Sequence, residues 1–208
     1  MAAREREEMA SLAEQLGPEA PTLCEGWTVR DLVAHLVERE SGSPAAFGVA
    51  VPAVRGYLED RRVRRARGDF SALVERFRSG PPRVSFFSLP GVDKVVNPSE
   101  FFIHHEDVRR AQPGWEPRAL SVRHQDALWK LVRVAGKLAV VRVPTGVVAE
   151  HAGTGEQVSL RKGSPAVVVR GEPAEVLLFT HGRRDHAQVE VSGDEVALAG
   201  LASARLGA

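Results

Sequence analysis

Up to about residue 135, the apolar residues of this 208-residue chain recur at helical spacing; beyond it their period falls toward two. A helix buries a stripe and a strand buries alternate residues, so the two patterns call for two kinds of layer. The expectation is an α+β protein, helical over 1–135 and a small α/β domain over 136–208. In the first part Met9, Leu12 and Leu16 mark the apolar side of a short helix that Gly17-Pro18 stops. Thr28-Val29-Arg30-Asp31 reads as a capping box that opens a helix running to about Arg39, with Leu32, Val33, Leu36 and Val37 as apolar positions and Gly42 beyond its end. Further helices are predicted over 53–66, 70–78, 97–111 and 121–134. The third of these opens on Asn97 as N-cap, Pro98 at the first helical position and Glu100 at N3. Between 81 and 96, Phe86, Phe87 and Leu89 predict a partly buried loop. Short Val-rich segments at 138–143, 147–150, 158–160 and 166–170 read as strands, 173–180 as a helix, 188–191 as a strand and 194–204 as a closing helix.

Charge narrows the function classes. Lys and Arg number 28 against 27 Asp and Glu, a net charge of +1, so no nucleic-acid or membrane-surface partner is expected. Cys24 is the single cysteine, which excludes an internal disulfide and any cysteine-rich metal cluster. No apolar run approaches the ~20 residues that span a bilayer. The first residues alternate Glu and Arg where a signal peptide would be apolar, so a cytoplasmic protein is expected.

The pattern richest in chemistry is Glu100-Phe101-Phe102-Ile103-His104. Four residues apart on a helix, Glu100 and His104 project from one face, where a carboxylate oxygen and an imidazole nitrogen can reach one ion at ~2.0–2.2 Å. His35, in the apolar middle of its helix, is the candidate third ligand from another element. Two His and one Glu form a set that leaves a fourth position on zinc open to water or substrate. Plainer readings stand beside this one. Glu100 at N3 is equally a capping residue, an isolated His35 is more often a satisfied core histidine, and the E-x-x-x-H spacing also arises by chance. Asp31, four residues before His35, is a cap or a carboxylate supporting that histidine, and Asp107, three after His104, has a similar claim. Cys24, beside Glu25 and without a cationic neighbour, reads as a packing residue. Arg61 to Arg67, five Arg in seven residues, reads as a solvated helix face. Arg183-Arg184 at a predicted helix end can answer the helix dipole.

The segment from Thr22 to Leu36, T-L-C-E-G-W-T-V-R-D-L-V-A-H-L, resembles the start of the second helix in the mycothiol-dependent maleylpyruvate isomerase family, within the DinB-like four-helix-bundle superfamily. Ser99 to Arg110, S-E-F-F-I-H-H-E-D-V-R-R, is similar to that family's fourth helix. Gly171 to Arg183 resembles its small sterol-carrier-like α/β domain. The resemblance implies a divalent metal, zinc, on His35, Glu100 and His104, and Trp27 as a packing anchor. It also implies mycothiol as co-substrate: a low-molecular-weight thiol loses its proton at the metal and attacks an electrophilic substrate, in S-transfer or isomerisation. Asp31 or His105 is the implied proton shuttle, and Arg183 the partner of a substrate carboxylate. The stretch between His35 and Glu100 is short for a large substrate-binding insertion, so the maleylpyruvate substrate itself does not carry over. The competing expectation is a non-catalytic protein whose metal is structural and whose α/β domain binds a small ligand or a partner.

Overall fold

The computed structural model describes residues 2–40, 52–81 and 96–207. The 81–96 loop with its three apolar residues therefore falls almost wholly outside the described residues, as does Gly42. The chain forms two compact units, Met1–Glu116 and Pro117–Ala208, an α+β architecture of helices followed by a sheet with helices.

In the first unit, four long helices, α1 (Ala2–Leu16), α2 (Val29–Glu40), α3 (Pro52–Ala66) and α5 (Val96–Arg110), enclose a core with the shorter α4 (Phe70–Arg78). Met9, Ala13, Leu32, Leu36, Phe77, Phe101 and Val108 fill that core. The Phe77 and Phe101 rings meet edge to face at 5.8 Å, an arrangement favoured by the ring quadrupoles. Asp69 caps α4 by accepting from the Ala72 N–H at 2.8 Å.

The turn between α1 and α2 is fixed by both backbone and side-chain bonds. The Trp27 N–H donates to the Cys24 carbonyl at 2.9 Å, closing a four-residue turn whose third residue, Gly26, has φ +74°. Only glycine takes that conformation without steric cost. The Thr22 hydroxyl braces the turn by donating to the Trp27 carbonyl at 2.8 Å. A further bond, from the Leu23 N–H to the Asp107 carbonyl at 3.0 Å, ties the segment to α5.

The second unit is a four-stranded sheet with helices. Strands β1 (Gly146–His151), β2 (Gln157–Arg161), β3 (Ala166–Gly171) and β4 (Val189–Ser192) lie in the order β2-β1-β3-β4; β1 and β3 run parallel, and the outer pairs are antiparallel. Val147, Ala149, Val167 and Val169 alternate into the core, where Leu177 and Leu178 of α7 (Pro173–Thr180) meet them. Helix α8 (Glu195–Ser203) closes the chain, with Asp194 as its N-cap. Helix α6 (Val122–Ala139) belongs to this unit, although the change of period near 135 assigned it to the helical half. Its Gln125 side chain accepts from the Ala174 N–H at the start of α7, and its Trp129 indole donates to Glu156 at 2.8 Å.

The strand expected over 138–143 is a correction. Buried Leu128, Leu131, Val132, Gly136 and Ala139 keep helical period to the end of α6, and the Val140 N–H still bonds the Gly136 carbonyl. Leu138 and Val141 are exposed, so the Val-rich composition there reports no buried strand. Gly136 has a packing reason: a Cβ there would lie 3.2 Å from Leu160 of β2. Among the described residues, no helix is long and apolar enough to cross a membrane.

Candidate metal centre

Helices α2 and α5 each contribute to one cluster. His35, Glu100 and His104 each offer a ligand atom, all within 4.8 Å of one another. The Glu100 Oε2 lies 3.4 Å from His104 Nε2, close to the ~3.4 Å that separates two ligands tetrahedrally arranged at zinc distances. The His35 and His104 rings meet edge to face at 5.4 Å, and His35 also meets the Trp27 ring at 5.1 Å. The Gly26 turn thus brings Trp27 against one candidate ligand and Cys24 against another.

The electrostatics suit a cation. Burial, with the nearby His104, pushes the His35 imidazole down to about 3, so it is neutral and its lone pair is available. Burial alone would raise the Glu100 carboxyl, but its bond with His104 and the Arg39 guanidinium hold it well below the usual carboxylate range. Arg39 Nη1 lies 3.3 Å from Glu100 Oε2. For His104 burial again opposes the charge, yet bonds with Asp107, Cys24 and Glu100 raise it well above its ordinary value. An arriving metal ion would therefore displace a proton from His104, the usual coupling between ligation and deprotonation.

The remaining residues singled out from sequence are spread more widely. Asp31 caps α2: its Oδ2 accepts from the Thr28 N–H at 3.1 Å and the Thr28 hydroxyl at 3.0 Å, while Oδ1 pairs with Arg62. His105 is turned to α1, where its Nδ1 lies 2.8 Å from Glu5 Oε2 and both side chains are buried. Its ligand-capable neighbours are Glu5 and Glu8. Arg183 lies in the second unit and donates to the His181 carbonyl at 2.6 Å.

Asp107 and Cys24 do join the cluster. Asp107 Oδ2 lies 2.9 Å from His104 Nδ1 and 3.3 Å from the Cys24 sulfur. Arg39 and Arg62 were not singled out individually. Arg39 follows His35 by four residues, the same helical spacing that links Glu100 to His104, and that was its available signal. Arg62 was hidden in its charge run. The expected solvated face is instead directed at carboxylates: Arg61 and Arg65 pair with the buried Glu38, and Arg62 with Asp31 and Glu59. The Arg62 guanidinium also stacks 4.6 Å from the Trp27 ring.

Residues 2–86 match the model of the mycothiol maleylpyruvate isomerase N-terminal domain. Over this segment the chain is similar to that family. The matched segment takes in Cys24, Trp27, Asp31 and His35 and stops before Glu100 and His104. Two solved structures share the fold, a mycothiol-dependent maleylpyruvate isomerase and a histidine-to-alanine mutant of it. Their TM-scores are 0.61 and 0.62 at 16% and 15% identity, and each similarity covers 92% of this chain and 88% of the other. No curated protein sequence matches the chain significantly.

Proposed function

We propose that this chain, similar over residues 2–86 to the maleylpyruvate isomerase N-terminal domain, holds a divalent metal ion, zinc, on His35, Glu100 and His104, and uses it with a low-molecular-weight thiol such as mycothiol in an S-transfer or isomerisation reaction. The observation that carries this reading is the convergence of two imidazoles and one carboxylate from two helices, their ligand atoms within 4.8 Å of one another. A zinc ion on such a set retains an open position and supplies the acidity that turns a bound thiol into a thiolate. The chain's own part is to set charge and shape. His35 and Glu100 contribute one negative charge between them, and Arg39 keeps the Glu100 carboxylate oriented. Trp27 and His104 both pack against the His35 ring, which limits the ring's freedom to turn. The fold and the family similarity support this reading; the solved relatives carry mycothiol and maleylpyruvate in their names, and the electrophile used by this chain is a separate matter.

The test is the metal content of untagged protein beside His35→Ala and His104→Ala, followed by cobalt substitution and addition of mycothiol. The expected result is near one zinc per chain, lost in both variants, with a cobalt spectrum that changes on adding thiol. A folded wild type without metal would overturn the reading. A cobalt spectrum indifferent to thiol would overturn its enzymatic part and favour a metal-containing binding protein.

A further inference from the structure

His104 has two ring nitrogens with two different neighbourhoods. Its Nε2 faces Glu100 Oε2 at 3.4 Å, on the side of His35. Its Nδ1 faces Asp107 Oδ2 at 2.9 Å. Asp107 is fully buried, and a buried carboxylate needs donors to offset the loss of water. With Asp107 as carboxylate, which can only accept, the proton of this pair sits on His104 Nδ1. The Cys24 thiol donates to the same Asp107 oxygen at 3.3 Å, and the Leu23 N–H donates to the Asp107 backbone carbonyl. Side chain and backbone of Asp107 therefore tie the Gly26 turn and His104 together.

Building on the metal reading above, we propose that Asp107 is a positioning residue for the metal centre: it accepts the Nδ1 proton of His104, fixes the ring's orientation and so presents Nε2 to the ion, with Cys24 as a second donor that steadies the carboxylate. A histidine whose Nδ1–H is held by a carboxylate is a more basic and better oriented ligand through Nε2, and losing such a partner costs about 10–100-fold in metal affinity. Cys24 also lies 3.8 Å from His104 Nδ1, but its removal leaves the shorter 2.9 Å contact between Asp107 and His104 in place, so its own effect is small.

The test measures zinc dissociation constants by competition with a chromophoric chelator for wild type, Asp107→Asn, Asp107→Leu and Cys24→Ala. Circular dichroism of the metal-free forms checks folding, and the visible spectrum of each cobalt-saturated form reports on ligand geometry. Asp107→Leu is expected to weaken binding up to about 100-fold and to shift the cobalt bands. Asp107→Asn keeps an acceptor without the charge and is expected to weaken binding about tenfold, which decides the matter if the leucine variant does not fold. Cys24→Ala is expected to bind nearly as wild type. Wild-type affinity and an unshifted cobalt spectrum in Asp107→Asn would overturn the proposal while leaving the metal centre standing. Two zinc ions per chain, the second lost in Cys24→Ala, would also overturn it, because Asp107 and Cys24 would then be ligands themselves. A wild type that binds no zinc would overturn both readings.

Discussion

Replacing Arg62 with methionine removes a guanidinium and keeps much of the apolar stem, isolating what the charge contributes to the first unit. In the structure Arg62 is 8% exposed and joins three elements: Asp31 on α2, Glu59 one turn earlier on α3, and the Trp27 ring in the Gly26 turn. The Asp31 pair, with side chains 10% and 24% exposed, lies between the surface and buried regimes and contributes about 1–2 kcal/mol. The half-exposed Glu59 adds about 0.3–0.5 kcal/mol. The stacking on Trp27 is worth about 1 kcal/mol. Arg62→Met should therefore destabilise the unit by about 2.5–3.5 kcal/mol. Urea titration in a Trp129→Phe background reads this cleanly, since the two remaining tryptophans, Trp27 and Trp115, both lie in the first unit. The difference should also depend on pH. Burial pushes the Asp31 carboxyl up, but the two Thr28 bonds and Arg62 more than offset it and leave it below its ordinary value of 3.8. A carboxyl lowered in the folded state adds stability that is complete above its unfolded value and lost as pH falls through the folded one. The gap between wild type and variant should thus be full near neutrality and narrow below pH ~4. A change under about 0.5 kcal/mol at neutral pH, the size expected of an ordinary surface substitution, would refute the reasoning.

Three further outcomes concern other parts of the chain. Glu106→Leu removes a buried carboxylate that pairs with the 2% exposed Arg110 guanidinium at 2.5 Å, and should cost the first unit about 3–5 kcal/mol in the same titration. Gly146→Ala places a Cβ 2.4 Å from the Gly163 carbonyl oxygen and should destabilise the second unit by about 1–3 kcal/mol, seen as faster hydrogen exchange of β1 and β3 amides. Zinc at about 100 times its dissociation constant should raise the stability of the first unit by about 2.7 kcal/mol, an increase that His104→Ala abolishes.

Much of this was legible in the residues because it is local. Capping at Thr28 and Asp31 set the start of α2, and Pro173 set that of α7, since a cap or a proline acts within one turn. Helical spacing likewise placed Glu100 and His104 on one face of α5. That His35 meets them from α2 was a conjecture about tertiary packing, and the fold realises it through the Gly26 turn and the Leu23–Asp107 bond. His105 was legible only as a neighbour of His104. One residue along a helix turns the side chain by about 100°, which delivers it to Glu5 on α1. The course of α6 was misread because Val-rich composition outweighed a burial period that only the packed sheet reveals. Arg39 and Arg62 went unnoticed for a related reason: an arginine's role depends on which carboxylate lies across the helix interface, and spacing within one helix does not report it.

The placement of α6 bears on how such a chain can be cut and recombined. A fragment ending at residue 135 would keep most of α6 but lose the strands and α7 that face it. Leu128, Leu131 and Val132 would then be open to water, an apolar strip prone to self-association. Division between Glu116 and Pro117 instead keeps α6 with the strands and α7. On that division the sheet and the helix before it form one unit. A relative that traded its second unit for another would be expected to lose α6 as well, while keeping intact the helices that carry His35, Glu100 and His104.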